Sequence, residues 1–189
     1  PENFSNKRLV LFNSDLAKEL DLDFSKYNDD DKCNILLGKN KLDKNYFSQA
    51  YAGHQFGNFT ILGDGRAVII GEHITNNKQR VDIQLKGSGQ TPYSRNGDGK
   101  AALGPMIREY ILSEAMHNLG ISSTRALAVI TTGENVLRDR LEPGAILIRV
   151  ANSHIRVGTF QFGSLLKNRE EFQNFISYTI SRPVSYTHL

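Results

Sequence analysis

The chain has 189 residues, which bounds it at one ordinary domain, or one small domain with part of another. Hydrophobic residues make up 39% and charged residues 23%, enough apolar content for a core, so disorder throughout is excluded. The net charge of +3 comes from 23 basic and 20 acidic residues interleaved along the sequence with no basic tail or helix face, so nucleic acid is not expected as a partner.

In chain order, "LVLFNSDLAKELDLD" predicts a strand over 9–12 and then a helix capped by Ser14, with Leu16 and Leu20 four apart on one face. The next stretch, "FSKYNDDDKCNILLGKNKLDKN", is polar and irregular and predicts a surface loop. Its acidic run, Asp29 to Asp31, has no histidine near and reads as a solvated face rather than a metal site. Cys33 is the single cysteine, so no intramolecular disulfide forms, and a reducing, cytosolic setting fits. No apolar run reaches the length of a membrane span, and "PENFSNKRLVLF" lacks the pattern of a signal peptide, so no membrane partner is expected. Opening at Pro1 rather than methionine fits a chain whose start lies upstream.

Residues 53–72, "GHQFGNFTILGDGRAVIIGE", alternate β-formers with glycines and predict two antiparallel strands meeting at the "GDGR" turn. "VDIQL" predicts a third strand beside them. After a loop over 86–100, a helix is expected over 101–119 with Gly120 past its end. Leu103, Ile107, Tyr110 and Ile111 share one of its faces and Leu112, Ala115, Met116 and Leu119 the other, so the helix is expected to be sandwiched. "TRALAVITTGE" and "GAILIRVA" predict two more strands, and "REEFQNFISYTI" a further helix. The closing "RPVSYTHL" continues no pattern and reads like a translated cloning adapter. The expected division is an N-terminal extension over 1–52, a nucleotide-binding region over 53–163, the start of a following helix over 164–181, and a non-native tail over 182–189.

A lysine ending a buried strand is costly unless its ammonium meets water, a carboxylate or a bound anion. Lys86 ends "VDIQLK", and Glu109 on the following helix is a carboxylate in equal need of a cation. A strand lysine paired with a helix glutamate is the device protein kinases use to position nucleotide phosphates, while a plain structural salt bridge is the bland alternative. Glu114 on the same helix competes for that partnership. Gly57, Gly63 and Gly65 on one side of Lys86 and Gly87, Gly89, Gly97 and Gly99 on the other permit close approach of backbone to a ligand, although turn chemistry alone also explains glycines. Arg149 and Arg156 suit phosphate recognition, with surface ion pairing as the default alternative.

No G-x-x-x-x-G-K-[ST] and no kinase G-x-G-x-x-G occurs. "GDGKAA" matches G-x-G-x-x-A, but it stands far from the preceding strand and lacks the downstream acid of a dinucleotide site. The five histidines show no zinc spacing, and His54 and His154 are expected to orient loops by hydrogen bonds. Ser122, Thr131 and Thr132 have no nearby base, so no serine-type nucleophile is expected.

Three blocks, "YAGHQFGNFTILGDGRAVIIGE", "DIQLKGSGQTPYSRNGDGKAALGPMIREYILSEAMHNLGISSTRALAVITTGE" and "PGAILIRVANSHIRVGTFQFG", resemble the selenoprotein O family over about residues 9–163. The resemblance implies an α+β fold of the protein-kinase-like N-lobe type, an antiparallel sheet with a helix equivalent to the kinase αC, most of the C-terminal lobe being absent. It implies a protein adenylyltransferase that moves AMP from ATP, with magnesium or manganese, to hydroxyl side chains of proteins. Carried over by motif, the nucleotide would meet Gly63, Gly65 and Arg66 of "GDGR", Lys86, Asp98 and Gly99 of "NGDG", and Arg149 and Arg156, with Glu109 positioning Lys86. The family's general-base aspartate and metal ligands belong to sequence downstream, so neither is expected here, and the chain alone is expected to be inactive. Family members are bacterial or mitochondrial, so a cytoplasmic location is expected for a bacterial protein and a mitochondrial one for a eukaryotic protein. Phosphoryl transfer by an ordinary kinase, or a nucleotide-binding scaffold without catalysis, are the competing expectations.

Overall fold

A computed structural model describes residues 2, 4, 6–39, 45–55 and 57–182. Seven strands and five helices follow one another along these residues: β1 (Arg8–Phe12), α1 (Ser14–Glu19), α2 (Asp29–Leu36), β2 (Ala50–Gln55), β3 (Asn58–Gly63), β4 (Ala67–Ile74), β5 (Arg80–Lys86), α3 (Leu103–Asn118), β6 (Arg125–Leu137), β7 (Leu141–Ala151), α4 (Val157–Gly163) and α5 (Arg169–Ser181). The fold is α+β. Five strands form one antiparallel sheet in the order β1-β6-β7-β5-β4, and β2 with β3 forms a separate two-stranded ribbon.

The large sheet is covered on both faces, which is why "GAILIRV" in β7 reads as an unbroken apolar run instead of an alternation. Ile146, Ile148 and Val150 point into one core with Val81 and Leu85 of β5 and with Leu16, Leu20, Cys33 and Leu36 of α1 and α2. Ala145 and Leu147 point the other way and pack with Met106 of α3 and Val129 of β6. The period of two therefore sends Asp82, Gln84 and Lys86 of β5, and Arg149 of β7, to the side where α3 lies. Gln84 stands directly opposite Arg149 in the ladder. Since α3 covers β6 and β7 and Arg182 at the end of α5 closes over Asp82 and Glu72, this face stays open around the Lys86 end of β5, and polar groups gather there.

Several expectations change. The N-cap of α1 is Asn13, whose side chain accepts from Leu16 N at 2.9 Å, rather than Ser14. The expected surface loop over 24–45 contains α2, capped by Asn28, with Asp29, Asp30 and Asp31 in the first turn where carboxylates favour the helix dipole. Cys33 is consequently buried and not in a loop. The "GDGR" turn does not close a hairpin: β3 pairs back onto β2 near Gly57, and the turn carries the chain from the ribbon to β4, which pairs with β5. The strand pair β6 and β7 is longer than expected, and α4 was not expected at all.

The helix α3 ends as expected, with Gly120 at φ 75° beyond its last turn. Among the described residues only one of its faces is covered. Leu103, Met106, Ile107 and Tyr110 pack on the sheet, whereas Ile111, Leu112, Met116 and Leu119 are exposed. Of the expected tail, residues 183–189 lie outside the described residues. Arg182 is buried at the end of α5, bonded to Asp82 at 2.8 Å and to Glu72. No described helix is long and apolar enough to cross a membrane.

Candidate functional site

The open part of the sheet forms a cleft of about 1060 Å³. Its wall comes from the turn after β3, the end of β5, the loop 96–100, the tip of the β6–β7 pair, and the segment that leads from β7 into α4. Gly65, Arg66, Lys86, Asp98, Gly99, Arg149 and Arg156 all line it. Gly63 does not. It lies under Tyr93, whose ring a side chain at that position would strike, so the glycine serves a close approach in the wall. Gly99, at φ 66°, packs so closely on the backbone of Gly89 that no Cβ fits there.

Glu109, projecting from α3 behind the cleft, accepts from Lys86 Nζ through Oε2 and from Arg149 through Oε1, the latter at 3.2 Å. Glu114, its competitor on the sequence, faces elsewhere. It accepts two bonds from Arg125 Nε and one from Nη2 at 2.9–3.1 Å, and others from Ala126 N and Asn13, tying α3 to β6 and to the start of α1. Arg149 also donates to Gln84 Oε1, and Gln84 Nε2 donates to Asp64 Oδ2 at 3.2 Å. Arg156, at the N-cap of α4, donates to Asp64 Oδ1 at 3.1 Å and stacks over the Tyr51 ring at 4.6 Å. One continuous network therefore runs from Lys86 to Arg156.

Asp98 is held by Arg138 in a two-bond fork at 2.9 and 3.1 Å and accepts from Lys100 N. The fork keeps the Asp98 carboxyl below its usual range, burial opposing. Arg138 stands in the turn between β6 and β7 and also donates to Lys100 O at 2.9 Å, so this hairpin tip fastens the glycine-rich loop. Lys100 pairs with Glu134 at 2.7 Å and Glu2 at 3.2 Å.

Six basic side chains line the cleft, namely Arg66, Lys86, Lys100, Arg138, Arg149 and Arg156, against two lining carboxylates, Asp64 and Asp98, and although Glu109 behind the wall and Glu134 and Glu2 beside Lys100 also pair with them, the cations remain in excess. Burial lowers the Lys86 amine below its usual value, with the charge of Arg149 acting the same way and Glu109 opposing. Burial lowers Arg149 too, against Glu109 and Asp64. Cations crowded under partial desolvation are a standing demand for further negative charge, and a polyanion entering the cleft meets it. Among the described residues no cluster of three or more His, Cys, Asp or Glu could hold a metal ion.

A family model described as "Protein adenylyltransferase SelO" matches residues 1–189. The chain belongs to the SelO family. It is 58% identical over 176 residues to the protein nucleotidyltransferase YdiU of Pelagibacter ubique, which covers 92% of this chain and 36% of that protein. It is 57% identical over 183 residues to the YdiU of Lachnoclostridium phytofermentans, covering 96% of this chain and 38% of the relative. The YdiU of Halalkalibacterium halodurans is 57% identical over 184 residues, covering 96% and 37%. This member of the SelO family thus spans under two-fifths of the length of these relatives.

Within this SelO chain, sequence reasoning missed Asp64, Arg138 and Tyr51. Asp64 sits inside the quoted "GDGR" motif, where the glycines drew attention from the acid between them. No sequence signal points to Tyr51 or Arg138, since each reaches the cleft from a distant hairpin. His154 departs from expectation as well: its ring is buried with Nδ1 3.5 Å from Asp82 Oδ2, the oxygen that accepts from its own backbone N–H at 2.9 Å, so it faces a strand carboxylate rather than a loop. His54 makes an edge contact with the Phe59 ring at 5.4 Å.

Proposed function

We propose that this chain is the ATP-holding part of a protein adenylyltransferase that transfers AMP to hydroxyl side chains of other proteins. The observation that carries the reading is the network Lys86–Glu109–Arg149, set in a cleft with six cations and two carboxylates. A triphosphate supplies the missing negative charge. Lys86, held by Glu109 as in a kinase-like N-lobe, meets its phosphates, Arg149 and Arg156 clamp it from the side, and the backbone around Gly65, Arg66, Asp98 and Gly99 follows its outline. ATP fits this donor set. Magnesium or manganese travelling with ATP would neutralise phosphate charge, and its protein ligands are assigned to sequence outside this chain.

Both carboxylates that line the cleft are tied to arginines, Asp64 by Arg156 and also by Gln84, Asp98 by Arg138, and this reading gives them the work of holding cations rather than of taking the proton of the acceptor hydroxyl. The same observation favours a second reading for the chain by itself, binding of nucleotide without catalysis. The family relationship to bacterial nucleotidyltransferases and the lone buried thiol support a bacterial, cytoplasmic enzyme.

The test incubates the full-length protein with ATP labelled at the α- or the γ-phosphate. Label on protein from the α position alone, lost in Lys86→Ala, is the expected result. Label from the γ position would mean phosphoryl transfer, and ATP binding with no transfer of either label would mean a scaffold.

A further inference from the structure

Arg149 and Arg156 face the same cleft and repel each other, yet both are held, and one acidic side chain connects their supports. We propose that Asp64 is a positioning residue that sets both arginines, Arg156 directly and Arg149 by anchoring the Gln84 amide that faces it. The proposal rests on the nucleotide reading above for its role in binding, while its geometry stands apart from that reading.

Asp64 is itself well anchored. It is buried, its N–H donates to Gln49 O at 2.9 Å, and its C=O accepts from Thr91 Oγ1 at 2.7 Å. Its two carboxylate oxygens are divided, Oδ1 to Arg156 and Oδ2 to Gln84 Nε2. A carboxylate only accepts, so it selects the donor end of the Gln84 amide, and the acceptor end must then face Arg149. Gln84 is fully buried, shut away from bulk solvent. Without Asp64 the Gln84 NH₂ loses its acceptor, and the amide that faces Arg149 is no longer anchored on its far side. Asparagine in place of Asp64 cannot satisfy both sides, because its own NH₂ must face either Arg156 or Gln84.

Asp64→Ala and the isosteric Asp64→Asn, each in wild-type, Arg156→Ala and Arg66→Ala backgrounds of the full-length protein, test this through ATP affinity. The expected loss is about tenfold in the wild-type and Arg66→Ala backgrounds and about threefold in the Arg156→Ala background, where only the arm through Gln84 to Arg149 remains. An equal loss in all three backgrounds, or tighter ATP binding from removal of a negative charge, overturns the proposal. Phenylglyoxal labelling without nucleotide, mapped by mass spectrometry, reads the geometry directly. In both Asp64 variants Arg156 and Arg149 should label faster with Arg66 unchanged, and Gln84→Met should speed Arg149 alone. Unchanged rates at Arg149 and Arg156, or equal acceleration at all three, overturn it. Should the wild-type protein bind no ATP, the nucleotide reading falls, and the labelling pattern still decides the role of Asp64.

Discussion

The two ends of β5 place charge on the same face of one strand and use it oppositely. At the first end, Asp82 accepts from Arg182 at 2.8 Å and from His154 N at 2.9 Å, and Arg182 turns also to Glu72 and the Tyr178 hydroxyl. Asp82 and Arg182 are shut away from water, at 5% and 6% side-chain exposure, and their charges cancel. At the other end, four residues on, Lys86 shares Glu109 with Arg149 in an open cleft where cations outnumber acids. A balanced cluster closes and holds the fold. A cluster with a surplus stays open and can bind.

The comparison makes different demands on the two ends. Lys86→Ala should lower nucleotidyl transfer by the full-length protein about 100-fold or more while shifting the thermal midpoint little, and an unimpaired variant would remove the cleft from the chemistry. Asp82→Ala leaves Arg182 buried without its main counter-charge and should cost about 3 kcal/mol in a denaturant titration, with ATP affinity kept in the folded population. A loss under about 1 kcal/mol would mean that the closed cluster contributes little.

Acid should act first at that closed end. Burial holds the His154 imidazole below its ordinary value of 6.5, with Arg149 and Arg156 also disfavouring its charge and Asp82 opposing. A depressed value means that its contribution to stability is complete above pH 6.5 and is lost as pH falls below it. Burial acts to raise Asp82, but His154 and Arg182 together outweigh it and lower the group, which follows the same sign below 3.8. Unfolding free energies from urea titrations between pH 7 and 5 should decline with a slope of at most about 1.4 kcal/mol per pH unit, and His154→Gln should flatten it. An identical slope in that variant would place the titration elsewhere. The smallest effect is expected at Leu119, which is 74% exposed: Leu119→Ser should change the stability of this chain by no more than about 0.5 kcal/mol.

Regular pattern explains what was legible. The unbroken run of β7, the terminal lysine of β5 and Gly120 after α3 each have one local cause, and each stands where expected. The polar helix α2 escaped because only Cys33 and Leu36 bury from it, although Asn28 before three aspartates is a start signal. The sandwiched reading of α3 failed because composition shows that a face is apolar without showing what covers it. At the cleft, Lys86 and Glu109 were legible as charges too costly to bury alone. Asp64, Tyr51 and Arg138 matter only through partners far along the chain, such as the 92 positions between Asp64 and Arg156, and local spacing carries no trace of that.

Cys33 has a practical corollary. As the sole thiol of the sequence, it lies fully buried, and burial raises it above the ordinary thiol value, so it offers electrophiles almost no thiolate. A cysteine substituted for Ser153 on the cleft wall would then take a maleimide dye alone, giving a fluorescent reporter of occupancy against a silent background.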